Sequence, residues 1–191
     1  VMITHRNAYM NVVGTLIHEP MRVADRYLWT LPMFHANGWT YTWIVTAAAA
    51  LHVCLRQVDA ASIYRLVNEE RTTMLCAAPT GRTAIASGPE DGRASLRRGV
   101  RVATAGAPPA AATIERMEGE LGWTITQVYG LTETAPFISI CAPLPEHDAL
   151  EPGERARIKA RQGVELMTSG DLRVVDEEMR DVPRDGATLG E

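Results

Sequence analysis

A chain of 191 residues is long enough for one buried core, and 46% hydrophobic with 22% charged residues is a globular composition, not a disordered one. Nineteen basic against 23 acidic residues leave a net charge of −4, which argues against the basic stripe of a nucleic-acid binder. The most apolar stretch, Trp39 to Leu55, is interrupted by Thr and His and is too short and polar to span a bilayer.

Cys54, Cys76 and Cys141 lack metal-ligand or CxxC spacing and read as free thiols in a reducing cytosol, so a cytoplasmic location is expected. No signal-peptide pattern opens the sequence as given. Lys159 is the single lysine among many arginines, a codon-composition signature and not a functional one.

In chain order, Thr4 to Ile17 predicts a helix with Thr4 as N-cap. Tyr27 to Leu31 reads as a strand closed by Pro32, Gly38 to Ala50 as helical, and Leu51 to Leu55 as a strand. Ala60 to Glu70 places Ile63, Leu66 and Val67 at helical spacing, and Thr73 to Ala77 is a strand before Pro79. Val100 to Ala105 (strand), Ala110 to Leu121 (helix) and Thr124 to Val128 (strand) repeat the alternation. This order implies a layered α/β fold with largely parallel sheets flanked by helices.

Pro143 to Glu154, with three prolines, reads as a loop. Beyond it, Leu172 to Val175 reads as a strand and Asp185-Gly186 as a turn. The expected division is therefore 1–142, an α/β unit, and 143–191, a loop and the start of a β-rich subdomain. Val1 is not an initiator Met and the sequence stops in mid-pattern at Gly190–Glu191, so an internal piece of a larger protein is expected.

Three segments carry chemistry. In the first, Gln127 to Pro136, a strand runs into Tyr129 and Gly130, and then Thr132 and Glu133 follow. Tyr129 offers a flat face to a base, Thr132 a hydroxyl to phosphate, and Glu133 a hard oxygen for Mg²⁺. An ordinary strand-turn explains this segment too. In the second, Thr104 to Ala110, Gly106 lets a ligand approach the backbone and Pro108-Pro109 fixes the turn; alone it is a plain strand-to-helix connection. The third, Leu31 to Trp39, places His35 and Trp39 where they could line an apolar pocket, although a lone histidine is more often structural.

In this order and spacing the segments resemble the adenylate-forming superfamily of acyl-CoA synthetases, peptide-synthetase adenylation domains and luciferases, almost end to end. Val1 to Asn7 looks like the stretch after that family's phosphate loop, and Leu31 to Trp39 like its PMFH segment. Thr104 to Ala110 resembles its Gly-Ala-Pro turn, and Tyr129 to Glu133 matches YGxTE in full. Lys159 to Gly163, Val174 to Asp176 and Asp181 to Gly186 are similar to the medium- and long-chain fatty-acid branch. Ser169 to Leu172 imitates the later TGD motif, but the surrounding pattern places it upstream of that motif, and Asp171 reads as a turn residue.

The resemblance implies ATP-dependent activation of a carboxylic acid, a fatty acid, and its transfer to CoA, with Mg²⁺. It implies that Tyr129 stacks on adenine while Gly106, Ala107 and Pro108 line the base's other side, with Gln127 toward the adenine amine. It assigns Thr132 to phosphate and Glu133 to Mg²⁺ as the catalytic pair. It puts Gly130 and Leu131 beside the reacting carboxylate and His35 and Trp39 along the acyl entrance. The expected partners are the acid, ATP and CoA, with no nucleic acid and no transmembrane segment; a homo-oligomeric parent is compatible. The phosphate loop, the ribose carboxylate and a catalytic lysine have no matched motif here, so these residues alone are expected to be inactive. Alternatives in the same class are a fatty-acyl-AMP ligase loading a carrier protein or an aryl-acid–CoA ligase. A non-catalytic nucleotide-binding module is the alternative of another class.

Overall fold

The structure, a computed structural model, describes residues 1–185 and 187–190, without the side chain of Asp91. Gly186 of the expected Asp185-Gly186 turn and Glu191 of the expected chain end lie outside the described residues.

Helix α1 (His5–His18) begins where Thr4 caps it: Asn7 N donates to Thr4 Oγ1 at 3.1 Å, and Thr4 N donates to Asn7 Oδ1 at 3.0 Å. Strand β1 (Arg26–Trp29) leads to the single turn α2 (Ala36–Trp39) and helix α3 (Tyr41–Ala47). Strand β2 (Leu51–Cys54) and helix α4 (Ala60–Glu69) follow, with Asp59 capping α4 by accepting from Ser62 N at 2.8 Å. Then come β3 (Met74–Ala77), α5 (Pro79–Ala86), α6 (Glu90–Ala94), β4 (Arg101–Thr104), α7 (Ala111–Arg116), β5 (Thr124–Gly130), β6 (Phe137–Cys141), α8 (Pro152–Lys159) and β7 (Val164–Glu165).

The seven strands form one sheet in the order β2-β1-β3-β4-β5-β6-β7. The first five run parallel, and β6 and β7 each pair antiparallel with their neighbour. Alternation along each strand feeds two cores. Tyr27, Trp29, Met74, Cys76 and Val128 pack with Val12 of α1 and Ile44 and Val45 of α3 on one face. Leu28, Leu75, Val102 and Ile125 pack with Ile63 and Val67 of α4, Ile85 of α5, Ile114 of α7 and Ala156 of α8 on the other. The fold class expected from the strand-helix alternation is the one observed, with a single sheet. The cysteines are free, Cys54 exposed and the other two buried. Among the described residues no helix is long and apolar enough to cross a membrane.

Several local expectations are corrected. The span from Pro143 to Glu154 is not simply a loop: Pro145–Ala149 forms a 3₁₀ turn, and Pro152 starts α8. Proline at the first helical position costs nothing, because that N–H has no intrahelical partner, so here it marks a helix start. Buried Ala156 and Lys159 hold α8 down, and Lys159 pairs with Glu118 Oε1 at 2.5 Å. Leu172 to Val175 is not a strand; only Val175 pairs, in an isolated bridge with Asp181, and Val174 is exposed. The segments that became α5, α6 and β6 carried no sequence expectation. The helix expected from Ala110 to Leu121 is α-helical to Arg116 and π-helical from Met117 to Leu121. That expected from Gly38 to Ala50 is interrupted: Ala36, Asn37, Gly38, Trp39 and Thr40 all have positive φ, from 41° to 67°. Right-handed helix starts only at Tyr41.

Candidate active site

A cleft of about 380 Å³ opens where loops leave the carboxyl ends of β4 and β5, the place where open α/β sheets take ligands. His35 and Trp39 reach it from the start and end of the α2 segment, and Gly106, Ala107 and Pro108 from the turn after β4. Gln127, Tyr129 and Gly130 line it from β5, and Leu131, Thr132 and Glu133 from the loop that follows. The three sequence segments, separated by up to about a hundred residues, therefore converge on one cavity.

Each segment is held by specific contacts. Gly106 sits at φ +88°, a conformation that favours glycine. Arg82 of α5 is buried and its Nη2 donates to Ala107 O at 3.3 Å, pinning the Gly106–Pro108 turn from below. Burial pushes the Arg82 guanidinium down from its ordinary value.

The β5 end is tighter. A register shift falls between Tyr129 and Gly130, and Leu131 N donates to Pro136 O at 3.1 Å across the loop. Thr134 braces the inside: its Oγ1 accepts from Leu131 N at 2.8 Å and donates to Leu131 O at 3.0 Å. Thr132 and Glu133 are left exposed, and their side chains make no hydrogen bond among the described residues. Tyr129 is 38% exposed, its ring available to the cleft.

On the acyl side of the resemblance, the positive-φ turn seats Trp39 inward at 6% exposure, edge-to-face with Phe137 (centroids 6.3 Å apart, 72°). Gly38 permits this: a Cβ there would lie 2.6 Å from the Trp29 ring. Trp29 is itself fixed, donating from Nε1 to His52 Nδ1 at 2.9 Å. His35 is exposed at the cleft mouth.

Gln127 is nearly fully buried at 2% exposure. Its Nε2 donates to Val128 O at 3.1 Å and to Gln162 Oε1 at 3.2 Å, while its Oε1 has no donor. A buried acceptor without a donor costs about 1–3 kcal/mol. Gln162, Pro136 and Phe137 line the cleft and were not among the sequence candidates. Gln162 folds in from the segment after α8, and no local pattern announces it. Asp171 is exposed, follows the turn at Met167 to Ser169, and is not among the cleft residues.

The family model described as AMP-binding enzyme matches residues 1–191. The chain is 45% identical over 194 residues to "Probable acyl-activating enzyme 9" of Arabidopsis thaliana, covering 100% of this chain and 34% of that protein. It is 42% identical over 191 residues to "4-hydroxybutyrate--CoA ligase 2" of Metallosphaera sedula, again covering 100% and 34%. The chain thus spans about a third of the length of the curated relatives it matches. In fold it is similar to the inhibitor-bound N-terminal domain of FACL13 from Mycobacterium tuberculosis, with TM-score 0.79 at 23% identity, covering 95% of this chain and 43% of that one. It is also similar to O-succinylbenzoate Coenzyme A synthetase from Bacillus subtilis in complex with ATP and magnesium ion, with TM-score 0.75 at 18% identity, covering 94% and 35%. The chain belongs to the AMP-binding enzyme family.

Proposed function

We propose that the parent protein joins a carboxylic acid to CoA at the expense of ATP, through an acyl-adenylate. The observation that carries this reading is the convergence of the three motif segments on one cleft. In it, adenine lies between the Tyr129 ring and the Gly106, Ala107 and Pro108 turn. Gln127, which lines the same cleft, lies on the side of the adenine amine. Thr132 contacts phosphate through its hydroxyl, and Gly130 and Leu131 flank the reacting carboxylate.

Glu133 is the residue that would hold Mg²⁺. No cluster of three or more metal-ligating side chains occurs among the described residues. Mg²⁺ needs none, because it keeps several waters and takes one or two carboxylates together with substrate phosphates. When bound, the ion neutralises charge on those phosphates. The Bacillus subtilis synthetase, similar in fold, is described in complex with ATP and magnesium ion, which supports these as ligands.

The acid's carboxylate attacks the α-phosphate, pyrophosphate leaves, and the CoA thiol then takes the acyl group and releases AMP. The protein contributes position and charge complementarity, as in other transfers at phosphorus. The acid is aliphatic, and we place it at the short end of the fatty acids. Support comes from the buried Trp39–Phe137 pair and from the relative named for 4-hydroxybutyrate. Within the same proposal, 1–142 is the central part of the AMP-binding unit and 143–191 opens a β-rich part. The parent works in the cytoplasm, and residues 1–191 alone release no pyrophosphate.

The test is acid-dependent ATP–pyrophosphate exchange by the full-length parent, run with acids from acetate to dodecanoate and with benzoate, followed by assay of the CoA thioester. Exchange that is strongest with short aliphatic acids and yields a CoA thioester is expected. Exchange without CoA transfer would indicate a carrier-protein acceptor, and a benzoate preference an aryl-acid ligase. AMP binding with no exchange for any acid would favour the non-catalytic module.

A further inference from the structure

The positive-φ turn that seats Trp39 in the cleft wall touches two side chains at Gly38. A Cβ on Gly38 would lie 2.6 Å from the Trp29 ring and 3.0 Å from Thr42 Oγ1. Thr42 Oγ1 also donates to Asn37 O at 2.9 Å, on the residue before that glycine. Residues other than glycine hold positive φ only where their surroundings impose it, and Ala36, Asn37, Trp39 and Thr40 all do so here. Whatever fixes the Trp29 ring and the Thr42 hydroxyl therefore fixes the placing of Trp39.

His52, on the edge strand β2, is joined to both and is not among the cleft residues. An indole N–H can only donate. Trp29 Nε1 donates to His52 Nδ1 at 2.9 Å, so that ring nitrogen carries no proton. Thr46 Oγ1 has a single hydrogen, which it gives to Thr42 O at 2.9 Å. Toward His52 Nε2, 3.3 Å away, Thr46 Oγ1 can only accept, so the imidazole proton sits on Nε2. The tautomer is thus set from both ends. One chain of hydrogen bonds runs from Trp29 through His52 and Thr46 to the Thr42 carbonyl, and the Thr42 hydroxyl returns to Asn37. It begins at one side chain against Gly38 and ends at the other. The imidazole and indole planes are also nearly parallel, 6° apart with centroids at 5.9 Å.

We propose that His52 is a positioning residue for acid specificity, holding the Trp29 ring, and through it the α2 turn and Trp39, in the place that limits the length of the acid. The proposal rests on the acid-ligase reading above and adds to it a residue outside the cleft.

The test is acid-dependent ATP–pyrophosphate exchange by the full-length parent for wild type, His52→Leu, His52→Asn and Thr46→Val. Two quantities are read: the KM for ATP, and the kcat/KM ratio between the preferred acid and an acid four carbons longer. Leucine fills space without accepting from the indole, whereas the asparagine Oδ1 stands near the place of Nδ1 and still accepts. His52→Leu is expected to lower the ratio by roughly fivefold to tenfold, the scale of one lost hydrogen bond, with the KM for ATP unchanged. His52→Asn is expected to recover part of that loss, and Thr46→Val, which cuts the chain at α3, to shift the ratio in the same direction as leucine. Should the leucine variant fail to fold, Thr46→Val, at an exposed position, decides the matter. A folded leucine variant with the wild-type ratio, even at a lowered unfolding midpoint, overturns the role of His52 and leaves the ligase reading standing. Equal losses in the leucine and asparagine variants, or a KM for ATP that rises with that for the acid, overturn it as well. A wild type that shows no exchange with any acid overturns the ligase reading itself, and this proposal with it.

Discussion

A methyl group on Gly130 would lie 1.8 Å from the carbonyl oxygen of Pro136. The same hypothetical atom would lie 2.8 Å from the Phe137 Cα, so the obstruction is backbone and cannot swing aside. Gly130→Ala must therefore push the Pro136 strand away and carry Thr132 and Glu133 with it. Overpacking of this kind costs about 1–3 kcal/mol. A lowered unfolding midpoint and a weakened AMP affinity are expected together. An alanine variant with wild-type values for both would show that the loop is looser than this contact requires.

Tyr129 stands at the same strand end with its ring toward the cleft. Stacking of a base on an aromatic ring is worth about 1–3 kcal/mol. Tyr129→Ala is expected to weaken AMP binding by that amount, and Tyr129→Phe to retain most of it. Equal losses in the two variants would assign the effect to the hydroxyl and refute stacking.

Most of the sheet was legible because β1 to β5 are short apolar runs bounded by Gly, Pro or helix-period segments. The cleft was legible because its three segments each combine a turn-former with a chemically distinctive side chain, as in Gly106 before Pro108 or Gly130 before Thr132 and Glu133. What escaped depended on distant partners. Proline in the span 143–152 signals either a loop or a helix start, and only the docking of Ala156 and Lys159 decides for α8. The positive-φ run from Ala36 to Thr40 contains one glycine, and its shape follows from the Trp29 ring beneath Gly38. Gln162 sits in the Lys159 to Gly163 stretch, where nothing local says that it folds back on Gln127.

Trp39 and His35 are expected to act on the acid and not on the nucleotide. Trp39→Ala opens the apolar wall it forms with Phe137, so longer acids should gain activity relative to short ones while the KM for ATP holds. His35→Ala, at the exposed mouth, is expected to change the acid profile with the same constancy toward ATP. Acid-series kinetics at saturating and limiting ATP check both. A changed ATP constant with an unchanged acid profile would reverse the assignment.

Glu19 gives the fold a pH signature away from the cleft. Burial, the largest influence, pushes its carboxyl above the ordinary 4.5, and the nearby Arg101 and the Tyr41 hydroxyl, 3.1 Å from Oε2, pull it back only in part. The folded protein thus holds this proton more tightly than the unfolded chain does. Its contribution is fully present below about pH 4.5 and is lost as the pH rises through the folded-state value. Glu19→Gln keeps an oxygen for Tyr41 and removes the titration. The variant is expected to be more stable than wild type at neutral pH, with the gap closing below about pH 4.5; denaturant unfolding across that range measures it. A gap that widens on acidification would contradict the sign.

Glu133 is exposed and hydrogen-bonds to nothing through its side chain among the described residues, so its removal should leave the fold intact. If the cleft is the adenylation site, the carboxylate's whole value lies in the reaction, and losing it costs on the order of 3 kcal/mol or more of transition-state stabilisation. The decisive measurement is acid-dependent ATP–pyrophosphate exchange by full-length Glu133→Ala beside its unfolding midpoint. The account predicts exchange reduced at least about a hundredfold with the midpoint unmoved. Near-normal exchange at saturating Mg·ATP would remove Glu133 from the site and contradict the assignment of this cleft.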